Sequence, residues 1–496
     1  MQKEKRTYQD WVSEVYALTK KRRKRDLDLH LGTDAKEACA ASYDESQLLE
    51  LKKVIHSQHL NCSVYYEALD HYLRTRAEPF QAMLTTWMSG AKAYVRDNVI
   101  PFNDAIDWCQ NAPDPEDRRT LAKELLALCR FLTQFSHATW EAITGTLRDT
   151  FGYSTYLSYN EEKRNTSIRR EASRARDFLD KTRNKYLNAI QDVVPHVCRV
   201  PFEEATRYDA IYLLGLRYLD HLFPSQFDMA TVEEFFEQMG ISLRDNPSIV
   251  VHEVKSGKQS YCVPIEIPGE IHVITGKVTG WLDLESIFHE LGHAFSFLHT
   301  NPKLPIEIKD FFHSAALAES YAFLLQRMCM SSPFLEEVMK LDTQKARFIS
   351  RIHWLKWLTL ARRYAAKLLV ETKNFDGVDL LEGKQFYSDT MKEETGFFYQ
   401  PDTYLFDLMP DFYSVDYFLG FIGGAAMEKY LTDRFGEKWF LDSSSWNLLK
   451  DWWFEGNSLQ LPEFIEKKTN TPLSLFPLVS QFSEIDIRNK ELLEMV

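Results

Sequence analysis

A pair of histidines with a glutamate beside the first has the spacing of a hydrolytic metal site. His289, Glu290 and His293 form the pattern H-E-x-x-H, in a stretch whose apolar residues recur every three or four positions and therefore predict a helix. Residues four apart on a helix project from one face, so both imidazoles can bind the same ion. Glu290 can reach a metal-bound water without ligating the metal, which predicts a general base.

The helix around this motif is expected to have Asp283 as its N-cap and to end before Asn301-Pro302. Gly292 lies inside it, where glycine costs roughly 1 kcal/mol relative to alanine, so we expect another element to approach that backbone closely. A chance H-E-x-x-H would usually fall in a loop or on a solvent-facing helix. Unpaired His and Glu would be costly to bury in an apolar helix, which favours a metal site.

A zinc site that hydrolyses its substrate needs three protein ligands and one open position. The next helical pattern covers residues 305–330 and carries Glu319, 26 positions after His293. Two helices joined by a short turn would run antiparallel and bring Glu319, in the middle of the second, opposite the histidines. The rival ligands are Glu307, which lies near the turn, and His313, a turn and a half before Glu319. We therefore predict Zn²⁺ bound by His289, His293 and Glu319.

The chain has 496 residues, which is long for one simple core and predicts two lobes. We place a helical N-terminal lobe at residues 1–200 and a catalytic lobe at residues 201–496. The only convincing sheet lies at residues 249–254, 260–267 and 270–275, with turns at 256–258 and 268–269, and reads as a small antiparallel ribbon before the metal-site helix. The predicted fold class is mainly α.

The net charge of −13 argues against nucleic acid as a partner and mildly favours neutral or basic ligands. No apolar run of 18 residues is present, so no membrane span is expected, and the N-terminus lacks the apolar core of a signal peptide. The seven cysteines are scattered and show no C-x-x-C spacing. They indicate free thiols in a reducing compartment, and we expect a cytoplasmic protein.

His-Glu-Leu-Gly-His followed by Ala-Glu-Ser at residues 318–320 resembles the thimet oligopeptidase and oligoendopeptidase F family of gluzincin peptidases. The ribbon leading into the helix, and the segment from Pro410 to Ala426, are similar to the corresponding parts of that family. The resemblance covers roughly residues 150–490. It implies a zinc metalloendopeptidase with a deep channel between helical lobes, whose substrates are short unfolded peptides. In such enzymes an edge strand holds the peptide by main-chain pairing; a purely structural ribbon is the alternative.

Peptide hydrolysis passes through an oxyanion that needs a hydrogen-bond donor besides the metal. The resemblance assigns this role to Tyr417, with Tyr413 second. The family also has a histidine in this segment, and its position here is Asp411; no histidine follows His353 anywhere in the chain. A carboxylate near the oxyanion would repel it unless it were protonated or turned away.

Two alternatives stay open at this point. A metallocarboxypeptidase can be built on the same arrangement of H-E-x-x-H and downstream glutamate. Asp411 also leaves open a catalytically weak relative that uses the cleft to bind peptides.

Overall fold

A computed structural model describes residues 6–33, 40–41, 43–254, 260–312, 314–377 and 379–482. Within these ranges the chain is mainly α-helical with two small sheets, as the sequence predicts. The α-helices are α1 Tyr8–Leu31, α2 Glu45–Gln58, α3 Ser63–Gly90, α4 Ala105–Gln110, α5 Pro115–Asp149, α6 Tyr156–Arg164, α7 Ile168–Cys198, α8 Arg207–Gly215, α9 Met229–Gln238, α10 Trp281–Leu298, α11 Ile306–Lys309, α12 Ala316–Cys329, α13 Ser332–Glu337, α14 Thr343–Asn374, α15 Lys384–Thr395, α16 Tyr413–Phe435, α17 Ser443–Trp453, α18 Leu461–Thr469 and α19 Phe476–Gln481.

Short 3₁₀ segments connect several of these helices. They lie at Phe102–Asp104, Phe202–Glu204, Arg217–Leu222, Pro401–Phe406, Pro410–Phe412 and Trp439–Leu441. The strands are β1 Lys92–Val95, β2 Asn98–Pro101, β3 Ile249–Glu253, β4 Tyr261–Glu266 and β5 Glu270–Thr275.

The predicted strands before the metal-site helix are present, but the expected antiparallel ribbon is wrong in one pairing. The strand order is β3-β5-β4, with β4 antiparallel and β3 parallel to β5. A ribbon in chain order would put β4 in the middle. Instead β5 is central, because its Ile271, Val273 and Ile274 are buried. The predicted turn at residues 256–258 lies outside the described part of the chain. The β1–β2 hairpin is a second sheet that the sequence did not reveal.

The helix around H-E-x-x-H is confirmed, but its predicted cap is wrong. It begins at Trp281, whose backbone N–H donates to the carboxylate of Asp220 at 3.1 Å. The side chain of Asp283 is occupied elsewhere: it accepts from Arg217 Nη2 at 2.6 Å and from the backbone N–H of Thr279 at 3.1 Å. Asp220, which is distant in the chain, therefore caps the start of the helix in place of Asp283.

The second predicted helix, at residues 305–330, is interrupted. It consists of α11 and α12, so Glu319 lies in the first turn of α12 instead of mid-helix. Ser314 contributes to the break, because its hydroxyl accepts from the backbone N–H of Ala316 at 3.2 Å and donates to Asp416 at 2.6 Å. Such side-chain bonds compete with the helical backbone pattern.

A core of buried side chains runs through the chain from Trp11 to Phe482. Its centre is the stack of α10 on α12 and of α12 on α16. The apolar stripe of α10 predicted from sequence is buried, with Leu284, Ile287 and Leu291 inaccessible to solvent. The division of the chain after residue 200 stays a prediction.

The six described cysteines are free, as expected, and the seventh, Cys39, lies outside the described ranges. None of the described helices combines the length and apolarity that crossing a bilayer requires.

Candidate metal centre

The two histidines of α10 and the glutamate of α12 meet at one point. Ligand atoms of His289, His293 and Glu319 lie within 4.8 Å of one another. His289 Nε2 is 3.5 Å from Glu319 Oε2, and His293 Nε2 is 3.5 Å from Glu319 Oε1. Bonds of about 2.0–2.1 Å to a tetrahedral zinc would place neighbouring ligand atoms roughly 3.4 Å apart. The three residues expected to bind zinc therefore have a spacing that fits the ion.

The close packing of α10, α12 and α16 brings these ligands together. Gly292 lies between the histidine positions on the helix and faces the backbone of α12 at Ala322. On the opposite side of α12, Gly420 of α16 faces the Cβ of Glu319. Side chains at these glycines would hold the helices apart and move Glu319 away from the histidines.

Glu319 is buried, with 1% of its surface exposed, and has one oxygen available. Its Oε1 accepts a hydrogen bond of 2.6 Å from the Tyr413 hydroxyl, whereas Oε2 has no hydrogen-bond partner. Burial would raise the pKa of Glu319, but His293, His289 and the Tyr413 hydroxyl outweigh it and leave the pKa below its usual range. A buried carboxylate oxygen without a donor is suited to a cation.

A chain of polar side chains that sequence reasoning missed orients His289. Its Nδ1 lies 2.9 Å from Oε1 of Gln326, whose Nε2 donates to Glu285 at 3.1 Å. Lys356 Nζ lies 2.9 Å from the same carboxylate. With Nδ1–H donating to Gln326, the lone pair of Nε2 faces Glu319 and is free for a metal.

Helical spacing gives only a partial signal for these two partners. Gln326 follows Glu319 by seven positions, or about two turns, and Glu285 precedes His289 by four, so each shares a helix face with a ligand. Burial lowers the pKa of His289 to about 4, so the ring is neutral near pH 7, as a ligand must be.

Glu290 lies beside the ligand set and next to the sheet. Burial raises its pKa to about 7, with the Glu319 carboxylate adding to the shift, while a backbone hydrogen bond from Cys262 opposes it. A carboxylate with a pKa near the working pH is suited to accept and return a proton. Because Cys262 belongs to β4, an edge strand of the sheet, that edge passes beside Glu290.

The two tyrosines expected to stabilise an oxyanion lie at the start of α16, next to Glu319. The Tyr413 hydroxyl is engaged by Glu319, and the Tyr413 and Tyr417 rings are 4.9 Å apart between centroids. The Tyr417 ring also packs on Tyr364 at 4.5 Å. Burial, followed by the charge of Glu319, raises the pKa of both hydroxyls well above 10, so each keeps a proton to donate.

Asp411 lies in a cluster of cations. Lys163 Nζ is 3.5 Å from its carboxylate, and Arg164 donates to its backbone carbonyl. The Tyr156 hydroxyl accepts from the backbone N–H of Asp411 at 3.0 Å. These contacts hold residue 411 in a left-handed conformation with φ of 57°. The charge of this aspartate is therefore balanced by neighbouring lysine and arginine side chains.

Of the two rival ligands, the structure describes only Glu307, and Glu307 does not join the site. Glu307 Oε1 accepts a hydrogen bond of 3.0 Å from the Tyr8 hydroxyl. His313 lies outside the described ranges.

No protein-family model matches the sequence, and none of the curated proteins compared with it does. Solved structures share its fold. PZ peptidase A, solved with an inhibitor, is 14% identical over 98% of this chain and 87% of its own, with a TM-score of 0.57. A putative oligoendopeptidase F is 14% identical over 98% and 86%, also with a TM-score of 0.57. Metallocarboxypeptidase 1 of Trypanosoma cruzi is 14% identical over 96% and 99%, with a TM-score of 0.47. The chain thus has the fold of PZ peptidase A and oligoendopeptidase F, and the resemblance inferred from its H-E-x-x-H and downstream glutamate is confirmed at the level of fold.

Proposed function

We propose that this protein is a zinc-dependent metallopeptidase of the oligoendopeptidase type, which hydrolyses internal bonds of short unfolded peptides. The observation that carries the proposal is the convergence of His289, His293 and Glu319 at the spacing of a tetrahedral zinc, with the carboxylate of Glu290 beside them. The shared fold with oligoendopeptidase F supports it.

Bound zinc would supply a coordinated water of lowered pKa and would polarise the substrate carbonyl. Glu290 accepts the proton of the attacking water and later delivers it to the leaving amine. Tyr417 donates a hydrogen bond to the developing oxyanion. Tyr413 is the second donor, once its hydroxyl leaves Glu319. Glu290 carries one proton from the water to the leaving amine, and each tyrosine uses its own hydroxyl proton for a hydrogen bond.

An extended peptide fits the position of the sheet edge. The backbone of Cys262 on β4 lies against Glu290, so a strand added to this edge would pass its carbonyls near the ligand set. Main-chain pairing of this kind tolerates many sequences. A folded protein cannot present such a strand, which is why we assign short unfolded peptides as substrates. The six cysteines in the described part of the chain are free thiols, which favours a reducing compartment, and we place the protein in the cytoplasm.

The position of cleavage tests the proposed mode of action. Zinc-loaded protein is incubated with a peptide of about ten residues whose C-terminus is amidated, and with the same peptide carrying a free carboxylate. An endopeptidase cuts both internally, which mass spectrometry detects as two fragments. Stepwise loss of C-terminal residues from the free peptide alone would instead establish a carboxypeptidase. Tight binding of both peptides without cleavage would establish a peptide-binding relative.

A further inference from the structure

A cavity of about 620 Å³ lies between α12, α14, α16 and α19. Its lining contains Arg327 of α12, Arg347 and Arg351 of α14, and Glu428 of α16. None of the residues that form the candidate metal centre lines it. The volume falls in the range of about 300–1,000 Å³ that is typical of small-molecule sites.

Arg327 is buried in the wall of this cavity without the partners that a buried guanidinium needs. It is 7% exposed, and its Nε and Nη1 have no hydrogen-bond partner. Its guanidinium carbon lies 3.5 Å from the ring centroid of Trp354, which fixes the plane of the group. Desolvation lowers the pKa of Arg327, which means that keeping this buried guanidinium charged costs free energy.

Arg362 on α14 shows how this chain normally satisfies a buried arginine. It is fully buried, and all three guanidinium nitrogens donate. Nε bonds to the Glu394 carbonyl at 2.8 Å, Nη1 to the Leu179 carbonyl at 2.7 Å, and Nη2 to the Glu394 carboxylate at 3.1 Å. Arg327 is buried to a similar extent, but two of its nitrogens have no hydrogen-bond partner. These two nitrogens of Arg327 therefore lack the hydrogen bonds that a bound anion would supply.

The carboxylate that acts electrostatically on Arg327 does not balance it. Glu428 interacts with Arg327 electrostatically, but the two form no ion pair in the described part of the chain. One oxygen of Glu428 instead accepts from Gln481 Nε2 at 2.7 Å, and burial raises the pKa of this carboxylate. A carboxylate with a raised pKa ionises less readily and compensates a neighbouring cation less well.

Two further cations in the same lining lack a partner. Neither Arg347 nor Arg351 makes a hydrogen bond or an ion pair among the residues that the structure describes. The remaining cation, Lys429, is already paired with Asp433 at 2.9 Å. The cavity therefore holds three arginines free to bind an anion, one of them buried and stacked in a fixed orientation. A guanidinium binds carboxylate and phosphate oxygens in pairs.

We propose that this cavity binds a small organic oxyanion, a carboxylate or a phosphate ester. Arg327 grips the oxygens at its inner end, and Arg347 and Arg351 face them from α14. Inorganic phosphate alone would fill a small part of the volume, so the natural ligand carries an organic portion that lies along the rest of the cavity. This site is independent of the proposed peptidase activity.

Calorimetric titration of the zinc-loaded protein tests the proposal. Inorganic phosphate and succinate are the probes, at an ionic strength kept constant with sodium chloride. We expect saturable binding of at least one probe, and the stronger one identifies the oxyanion class. Arg327→Met should weaken that binding on the order of tenfold or more, because hydrogen bonds to a charged group are lost. Lys181→Gln, which changes a lysine paired with Asp177 outside this lining, should bind like the wild type.

Thermal unfolding without probe separates a binding role from a structural one. Arg327→Met should keep or raise Tm, since it removes an unpartnered buried charge. Arg351→Gln provides a second variant that leaves the buried wall intact and should also weaken binding. Saturation by neither probe, equal affinity in wild type and both arginine variants, or a large fall of Tm in Arg327→Met would each overturn the proposal.

Discussion

The backbone of Gly292 faces that of Ala322 with no room for a side chain between them. A Cβ at Gly292 would lie 2.5 Å from the Ala322 Cα and 2.7 Å from the carbonyl oxygen of Tyr321. This contact sets the separation of α10 and α12, and with it the distance between the two histidines and Glu319.

Gly292→Ala should therefore destabilise the protein, although alanine is the better helix former. The clash is with backbone, which cannot rotate away, and overpacking of this kind costs about 1–3 kcal/mol. Gly145 of α5 is the matched control, because a Cβ there would meet only side-chain atoms at 3.8 Å and 3.9 Å. Gly145→Ala should stabilise by up to about 1 kcal/mol. Urea unfolding measures both; equal effects in the two variants would contradict the close approach.

Zinc content tests the ligand assignment. The protein should carry about one zinc per chain, and Glu319→Gln should bind it much more weakly while keeping its fold, because the ligand charge is lost but the volume is kept. Elemental analysis and circular dichroism on the same samples give both quantities. Full zinc retention by Glu319→Gln would remove this residue from the ligand set.

Zinc affinity should fall as the pH is lowered from 8 to 6. Burial lowers the pKa of His293, but the adjacent Glu319 outweighs this and raises the pKa above 6.5. Below that pKa the imidazole carries a proton that zinc must displace, so each unit of pH should cost about tenfold in affinity. Competition with a chromophoric chelator, corrected for the chelator's own protonation, gives the dissociation constant. A constant value across this range would mean that His293 is already neutral without metal.

Tyr417 and Asp411 should affect different quantities. Tyr417→Phe removes a donor to the oxyanion and should lower kcat by about 10²–10³ with little change in KM. Asp411→Asn should leave kcat of the folded enzyme near the wild-type value and reduce stability by about 1–3 kcal/mol, because Lys163 loses a charged partner. Steady-state kinetics and thermal unfolding on both variants separate the roles. Wild-type kcat in Tyr417→Phe would refute the assignment of that tyrosine.

The sequence predicted that His289, His293 and Glu319 lie together, because this grouping depends largely on local spacing. The i,i+4 pair fixes His289 and His293 on one face of a helix, and a carboxylate on the next helix is the natural third donor. Gly292, a glycine inside that helix, correctly indicated that another element approaches its backbone closely. Each of these inferences needs only the period of an α-helix.

The features that sequence reasoning missed depend on distant contacts. Asp220 caps α10 from a 3₁₀ segment 61 residues earlier, and Gln326 is recognised as a partner of His289 only once α10 and α12 are paired. The parallel pairing of β3 with β5 sets Ile249 opposite Ile271, with β4 between them in the chain. We expected the negative charge of Asp411 to oppose the oxyanion, but Lys163, a residue 248 positions away, balances that charge. No local pattern encodes contacts over such separations.

Replacement of Glu290 tests the central claim most directly. Zinc-loaded wild type and Glu290→Gln are compared on an internally quenched fluorogenic peptide, with the zinc content of each sample measured at the same time. Glutamine keeps the shape of the side chain but cannot accept the proton of the attacking water. We predict that Glu290→Gln binds about one zinc per chain, as the wild type does, and loses turnover by at least about 10². Turnover at the wild-type rate in a fully zinc-loaded Glu290→Gln sample would contradict the account.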